Sequence, residues 1–159
     1  MTSANRVVPS PLWNYSTSKL PDNEELIATI ANGFLGTRIF SDTIYAAGVF
    51  NGDHLTSHRA RIPSSLPTKL SVNLQTPKAE QLYTLDIQNG VFLQSLTASD
   101  NSYAVTQKTY AHGYYRNLLV TEVQVKTNVD KGISVLLESN MGASSSDISF
   151  SSEILQGIQ

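Results

Sequence analysis

The densest group of side chains able to do chemistry lies between residues 51 and 61. An amide, an imidazole and two guanidinium groups occur there, on Asn51, His58, Arg59 and Arg61. Gly52 and Asp53 within the segment and Pro63 after it predict a loop, where binding residues are often found. These groups can donate hydrogen bonds to sugar hydroxyls or hold a domain interface, so we predict a substrate-binding or domain-interface role. The sequence leaves open the alternative that they hold the loop's own shape.

Metal and nucleophile chemistry have weaker support. His54 and His58 are four residues apart, but the glycine and proline around them predict a loop, and no carboxylate lies at ligand spacing. The run Ser144, Ser145 and Ser146 lacks the GxSxG pattern of an activated serine, and we interpret it as a flexible loop. We therefore predict no metal site and no cofactor.

Paired-carboxylate chemistry, as in glycoside hydrolysis, requires two carboxyl groups roughly 5 to 9.5 Å apart across a pocket. Glu24 and Glu25 are adjacent, and adjacent strand positions point to opposite faces. The other candidates stand singly: Asp42, Asp53, Asp86, Asp100, Glu122 and Glu138. Because none is distinguished from a solvated surface residue, we predict no catalytic residue in this chain.

Charge and composition exclude several partners. The formal net charge of -2 arises from scattered single charges, so neither nucleic acid nor an anionic membrane is an expected partner. The proline-interrupted N-terminus does not resemble a signal peptide and no apolar run reaches about 18 residues, which predicts a cytoplasmic protein. Cysteine is absent, and disulfides are therefore excluded.

The elements that must position these residues are strands. From residue 69 onward apolar and polar residues alternate with period two, the pattern of half-buried strands. Asn89 and Gly90 predict a hairpin between segments 81–88 and 91–98, and Asp100 and Asn101 predict a turn before strand 102–111. Segments 117–128 and 132–139 are predicted to form a second hairpin through Asp130 and Gly132.

The first third of the chain also favours extended structure. Gly33, Gly36 and Gly48 interrupt segments 34–40 and 44–50, which predicts short strands there. Asp22 can cap a short helix over residues 24–31, but its β-branched content makes an extended segment an equal alternative. We predict an all-β antiparallel sandwich with little helix, as one domain over residues 1–159.

Four segments carry a resemblance to a known family, in order along the chain: LPDNEELIATIANGFLGTRIFSDTIYAAGVFNG, HRARIPSSL, LDIQNGVFL and KTYAHGYYRNLLVTEVQV. With these the chain resembles the N-terminal region of glycoside hydrolase family 65, in its acid-trehalase-like branch. The resemblance covers residues 13 to about 125. It implies an N-terminal super-sandwich of the galactose-mutarotase type, followed by an (α/α)6 barrel that carries the catalytic carboxylates.

The resemblance also implies an activity and a partner. The expected reaction of the parent enzyme removes glucose, with inversion, from glucosyl-galactosyl-hydroxylysine of collagen-type peptides. The barrel lies outside this sequence, so we expect an incomplete sandwich without activity of its own, meeting glycopeptide or oligosaccharide only through the barrel. Two alternatives stay open: a stand-alone carbohydrate-binding sandwich, and a structural domain whose open strand edges form a homodimer.

Overall fold

A computed structural model describes residues 13–64, 66–73, 79–128, 130, 132–139 and 142–149 of the chain. The strands are β1 Asn14–Thr17, β2 Thr29–Ala31, β3 Leu35–Arg38, β4 Thr43–Ala46, β5 Phe50–Asn51, β6 His58–Arg59, β7 Ile62–Pro63, β8 Pro67–Asn73, β9 Ala79–Asp86, β10 Val91–Ala98, β11 Tyr103–Ala111, β12 Leu119–Thr127 and β13 Ser134–Ser139. Their pairings are antiparallel throughout. The predicted all-β antiparallel sandwich is therefore confirmed. Among these residues no helix has the length and apolar character needed to cross a membrane.

The larger layer is a five-stranded sheet in the order β1-β9-β10-β11-β12. Its centre contains the predicted hairpin of β9 and β10, in which Gly90 has a φ of 64°. Along β11, Tyr103, Val105, Gln107 and Thr109 are buried while the residues between them are partly exposed. This alternation gives the sheet one face directed toward the core, as the period-two pattern predicts.

The opposite layer consists of two smaller sheets, β2-β3-β4-β7 and β8-β13. The first packs Ile30 and Ile39 against Phe92 of β10. The second packs Leu70 of β8 against Val105 of β11, together with Ala98 and Tyr103. Both small sheets therefore bury their apolar residues against the same large sheet, and the core lies between the two layers.

The second predicted hairpin is wrong. β12 pairs with β11 of the large sheet, whereas β13 pairs with β8 of the opposite layer, with Leu137 opposite Leu70. Ile133 and Val135 pack on the cluster around Val105, so the start of β13 contributes to the core, whereas Leu136 and Leu137 are exposed. Turn residues and alternation are the same for a hairpin and for a crossing between layers, so the sequence pattern alone cannot separate the two.

The segment after Asp22 combines both of the alternatives considered for it. The side chain of Asn23, not Asp22, caps a single 3-10 turn, Glu24–Leu26, by accepting the Glu25 N–H at 3.0 Å. The chain is extended again at Ile27 and then forms β2. β3 and β4 confirm the short strands expected in segments 34–40 and 44–50, although each covers only part of its segment.

Candidate functional site

The predicted site loop is built on a two-residue ladder between β5 and β6, with Asn51 opposite His58 and Phe50 opposite Arg59. Between the strands, Asp53 Oδ1 accepts the N–H groups of Leu55 and Thr56, at 3.1 and 3.2 Å, and the Thr56 hydroxyl at 2.9 Å. The Thr56 hydroxyl and these N–H groups hold the pKa of Asp53 below its usual value. The loop's shape therefore comes from its own side chains.

Gly52 is required by this tight loop. Its φ of 92° lies in the region that favours glycine, and a Cβ at this position would come within 2.5 Å of the Thr56 carbonyl oxygen. Gly52 therefore fixes the point where the loop leaves β5. Asn51 and His58 are paired across the ladder and project from it side by side.

Three of the four predicted site residues converge on one carboxylate, Asp147. Asn51 Nδ2 lies 3.3 Å and His58 Nε2 lies 3.2 Å from Asp147 Oδ1. Arg61 donates three times: its backbone N–H and Nε to Oδ2 at 3.0 and 2.8 Å, and Nη2 to Oδ1 at 3.2 Å. The Asp147 side chain is 2% exposed. We call Asn51, His58, Arg61 and Asp147 the Asp147 cluster, in which five donors surround one buried anion.

The segment 142–149 carries Asp147 to the loop and is itself held there. Ser145 Oγ donates to the Arg61 carbonyl at 2.8 Å and accepts the Asp147 N–H at 3.2 Å. Gly142 N–H donates to the Ser64 carbonyl at 2.8 Å, and a Cβ on Gly142 would overlap the backbone carbonyl of Asp42. The serine run interpreted as a flexible loop therefore includes a residue that holds Arg61 and Asp147 in place.

In the Asp147 cluster, the pKa values of Asp147 and His58 are both shifted in the direction that favours the charged form. Hydrogen bonds from the Arg61 side chain, then from its backbone N–H, hold the pKa of Asp147 far below its ordinary value. His58 Nδ1 lies 3.0 Å from the Thr56 carbonyl, and this contact, followed by the bond to Asp147, raises the pKa of His58. Both imidazole nitrogens thus face acceptors, which favours the doubly protonated ring. Asp147 stays ionised and cannot donate a proton as a general acid.

Arg59, the fourth predicted site residue, does not join the Asp147 cluster. It follows His58 on the same strand and so projects to the other side, where its guanidinium lies 5.7 Å from the centroid of Phe50. Phe50 is 56% exposed and Leu55, at the tip of the loop, is 89% exposed. The outer side of the loop is therefore apolar and cationic, whereas its inner side is occupied by the Asp147 cluster.

Sequence reasoning missed Asp147 because it lies 86 residues from Arg61 along the chain. The only local signal was an aspartate directly after the serine run, and a single aspartate there is typical of an exposed loop. Within the ranges that the structure describes, no three His, Cys, Asp or Glu side chains come together in a way that could hold a metal ion.

The chain is similar to curated proteins named protein-glucosylgalactosylhydroxylysine glucosidase. It is 35% identical to the mouse (Mus musculus) protein over 136 residues, which make up 84% of this chain and 19% of the mouse protein. It is 30% identical to the Dictyostelium discoideum protein over 144 residues, 83% of this chain and 19% of that protein. The chain thus spans about one fifth of the length of these relatives. No family model and no solved structure matches it.

Proposed function

We propose that this chain forms the N-terminal β-sandwich of a glucosidase in the acid-trehalase-like branch of glycoside hydrolase family 65, and that it supplies no catalytic carboxylate. The substrate of the whole enzyme would be glucosyl-galactosyl-hydroxylysine of collagen-type glycopeptides. Support comes from relatives that carry the name of this activity and match most of the chain. Hydrolysis itself would belong to the remaining four fifths of such a protein.

The observation that carries the non-catalytic role is the saturation of Asp147. An inverting glycosidase needs one carboxylic acid with a raised pKa and one carboxylate free to activate water. Asp147 has the opposite properties, since five donors occupy its oxygens and its pKa is strongly lowered. A carboxylate in this state holds a loop and does not exchange protons with a substrate.

The other carboxylates with shifted pKa values point the same way. Asp53, Asp86 and Asp100 each have a lowered pKa, and in each the first cause is a hydrogen bond within its own turn, from Thr56, Asn89 and Ser102 respectively. Lowered values suit carboxylates that cap turns. A general acid working near neutral pH requires the reverse shift.

The loop at residues 51–61 is better suited to a domain interface than to binding sugar. The polar groups of Asn51, His58 and Arg61 already bond to Asp147, which leaves fewer donors for hydroxyl groups. The outer side offers Leu55, Phe50 and Arg59, and exposed leucine, phenylalanine and arginine are typical of contact surfaces. We propose that this outer side packs against the rest of the full-length enzyme, while the predicted homodimer stays a prediction.

An enzyme assay tests this proposal directly. The chain alone should release no glucose from glucosyl-galactosyl-hydroxylysine, with the mouse relative as the active control. A mouse protein lacking its 136 aligned residues should be inactive and should regain turnover when this chain is added in trans. Turnover by the chain alone would show that it is catalytic. Failure to restore activity, with both parts folded by circular dichroism, would argue against the role as the N-terminal sandwich.

The interface itself is tested with a paired variant. Leu55→Ser removes the most exposed apolar contact without touching the Asp147 cluster, so it should weaken the trans association while leaving the chain folded. Leu136→Ser, on β13 and 51% exposed, is the matched control. Equal association of the two variants would place the interface elsewhere.

A further inference from the structure

The loop between β11 and β12, residues 112–118, presents aromatic rings to solvent. Tyr114 is 84% exposed, Tyr115 59% and Leu118 48%. Together with Arg116 and Asn117 they line an open hollow of about 380 Å³. We call residues 112–118 the tyrosine loop. Its hollow falls at the lower end of the range of small-ligand sites, roughly 300 to 1,000 Å³.

A distant asparagine binds the tyrosine loop at two positions. Asn32 Nδ2 donates to the carbonyl oxygens of His112 and Arg116, both at 2.9 Å. Its Oδ1 accepts the N–H groups of Phe34 and Leu35 at 3.0 and 2.9 Å, which fixes the amide orientation. One side chain therefore joins the tyrosine loop to the turn before β3.

His112 fixes the tip of the tyrosine loop from inside. Its Nδ1 accepts the N–H groups of Tyr114 and Tyr115, at 3.1 and 3.0 Å. The imidazole also lies 5.0 Å from the Tyr115 ring, centroid to centroid. Arg116 is held over the Phe34 ring at 5.0 Å. The backbone under the two tyrosines is thus ordered before any ligand arrives, which lowers the entropic cost of binding.

The two rings form a corner whose chemistry suits a sugar. Tyr114 and Tyr115 meet edge to face, with centroids 5.0 Å apart and an angle of 86° between their planes. An aromatic face is electron-rich and attracts the partly positive C–H groups that a hexose presents on one side of its ring. Phenol, carboxamide and guanidinium groups around the hollow can bond the hydroxyls at the sugar's rim. An apolar peptide would leave these polar groups without partners.

We propose that Tyr114 and Tyr115 form a binding platform for a hexose of the glycoside, separate from the Asp147 cluster. Tyr114 and Tyr115 supply the stacking surfaces, and Asn117 with the two phenol groups supplies the hydrogen bonds. The inference rests on the proposed function in one respect: the glucosyl-galactosyl unit of a glycopeptide is taken as the sugar. The sandwich would then hold substrate near the enzyme without acting on it.

Titration of the full chain followed by ¹H–¹⁵N NMR tests the platform. Glucosyl-galactosyl-hydroxylysine peptide at millimolar concentration should cause saturable shifts in residues 112–118 and at Asn32. The same peptide without sugar should cause none. Tyr114→Ala and Tyr115→Ala should each weaken binding by about threefold to tenfold, the size expected for one favourable aromatic contact. Tyr114→Phe, which keeps the ring but removes one phenol hydrogen bond, should weaken binding less than Tyr114→Ala.

Tyr15→Ala is the matched control, since Tyr15 is also exposed, at 65%, but lies on β1. Absence of saturable shifts, or equal weakening by the Tyr15 and Tyr114 variants, would overturn the platform. If Tyr114→Ala weakens the trans association with the truncated mouse protein and no sugar shifts appear, the tyrosine loop is a protein contact instead. Sugar shifts without restored activity in trans would support the platform and reject the proposed function, so the two failures are distinguishable.

Discussion

The loop at residues 51–61 and the tyrosine loop are two surface loops that are held in the same way, but their side chains point in opposite directions. In each, one polar side chain from a distant part of the chain binds the loop: Asp147 binds the first and Asn32 the second. The first loop directs His58 and Arg61 inward onto Asp147, whereas the second directs Tyr114 and Tyr115 outward. The charged residues around Asp147 hold a loop in place, whereas the exposed rings on an ordered backbone are the ones that we propose for recognition.

Asp147→Asn should have the largest effect of the changes considered. The substitution removes the anion and places an NH₂ group among five donors, so at least one donor of Arg61, His58 or Asn51 loses its acceptor. We expect the greatest drop in Tm of the set, measured by thermal unfolding. Asp22→Asn, which affects an exposed pair with Lys19, is the control and should change Tm little. Similar Tm changes in both variants would show that the Asp147 cluster does not hold the loop.

Asn32→Ala should have an intermediate effect located in the tyrosine loop. The loss of four hydrogen bonds should reduce the free energy of unfolding by about 1 to 3 kcal/mol. Amide hydrogen exchange at Tyr114 and Tyr115 should accelerate, and sugar binding should weaken even though both rings remain. Asn128→Ala, which removes an exposed bond to the Asn101 carbonyl, should do neither. Unchanged exchange in Asn32→Ala would contradict the claim that Asn32 orders this loop.

The stability of the protein should depend on pH through His58, in the loop at residues 51–61. This effect should be smaller than that of Asn32→Ala. The pKa of His58 is raised in the folded protein, so the protonated ring's contribution is complete below its ordinary value of about 6.5. That contribution is lost as the pH rises through the folded pKa, above 6.5. Urea unfolding at about pH 6 and about pH 8 should therefore show lower stability at the higher pH. Solvent screening keeps the difference small, since the side chain is 49% exposed.

His58→Gln should reduce that pH difference. His54→Gln, which removes an imidazole from the same loop but none of the contacts to Asp147 described above, should preserve it. Asp147 does not contribute to the slope in this range because its pKa is lowered and it remains ionised. A slope that survives His58→Gln would assign the pH dependence to another group.

Tyr114→Ala should have the smallest effect on folding, with the free energy of unfolding unchanged within about 0.5 kcal/mol. The ring is mostly exposed and its removal leaves the bonds from Asn32 and His112 in place. Chemical denaturation measures this, and the contrast with Asp147→Asn separates a recognition residue from a scaffold residue. A large loss of stability in Tyr114→Ala would mean that the rings serve the fold.

The features that sequence reasoning predicted are those set by neighbouring residues. Three features follow from backbone preference and alternation. They are the turn at Asn89 and Gly90, the strand Tyr103–Ala111, and the short strands around Gly33 and Gly48. The partner strand of β13 was mispredicted. Whether β13 pairs with β12 or with β8 depends on which apolar faces meet in the core. The strand propensity of a segment does not indicate which strand it pairs with.

The candidate site likewise contains residues that the sequence identifies and residues that only the structure reveals. Asn51 and His58 were identified because they lie in one dense segment, and the ladder of β5 and β6 then places them together. Arg59 was included for its charge, although strand alternation directs it to the opposite side. Asp147 and the ordering of the tyrosine loop by Asn32 depend on contacts between residues 80 or more positions apart, which no local pattern encodes.

The 86 positions between Arg61 and Asp147 also set an order of events during synthesis. While the ribosome is still making the residues between them, the loop at residues 51–61 has its own turn but lacks the anion that its cations and amide surround. Long-range contacts of this kind form late, because the intervening chain must first be closed. A nascent chain therefore leaves Arg61 without its carboxylate partner until Asp147 has emerged from the ribosome.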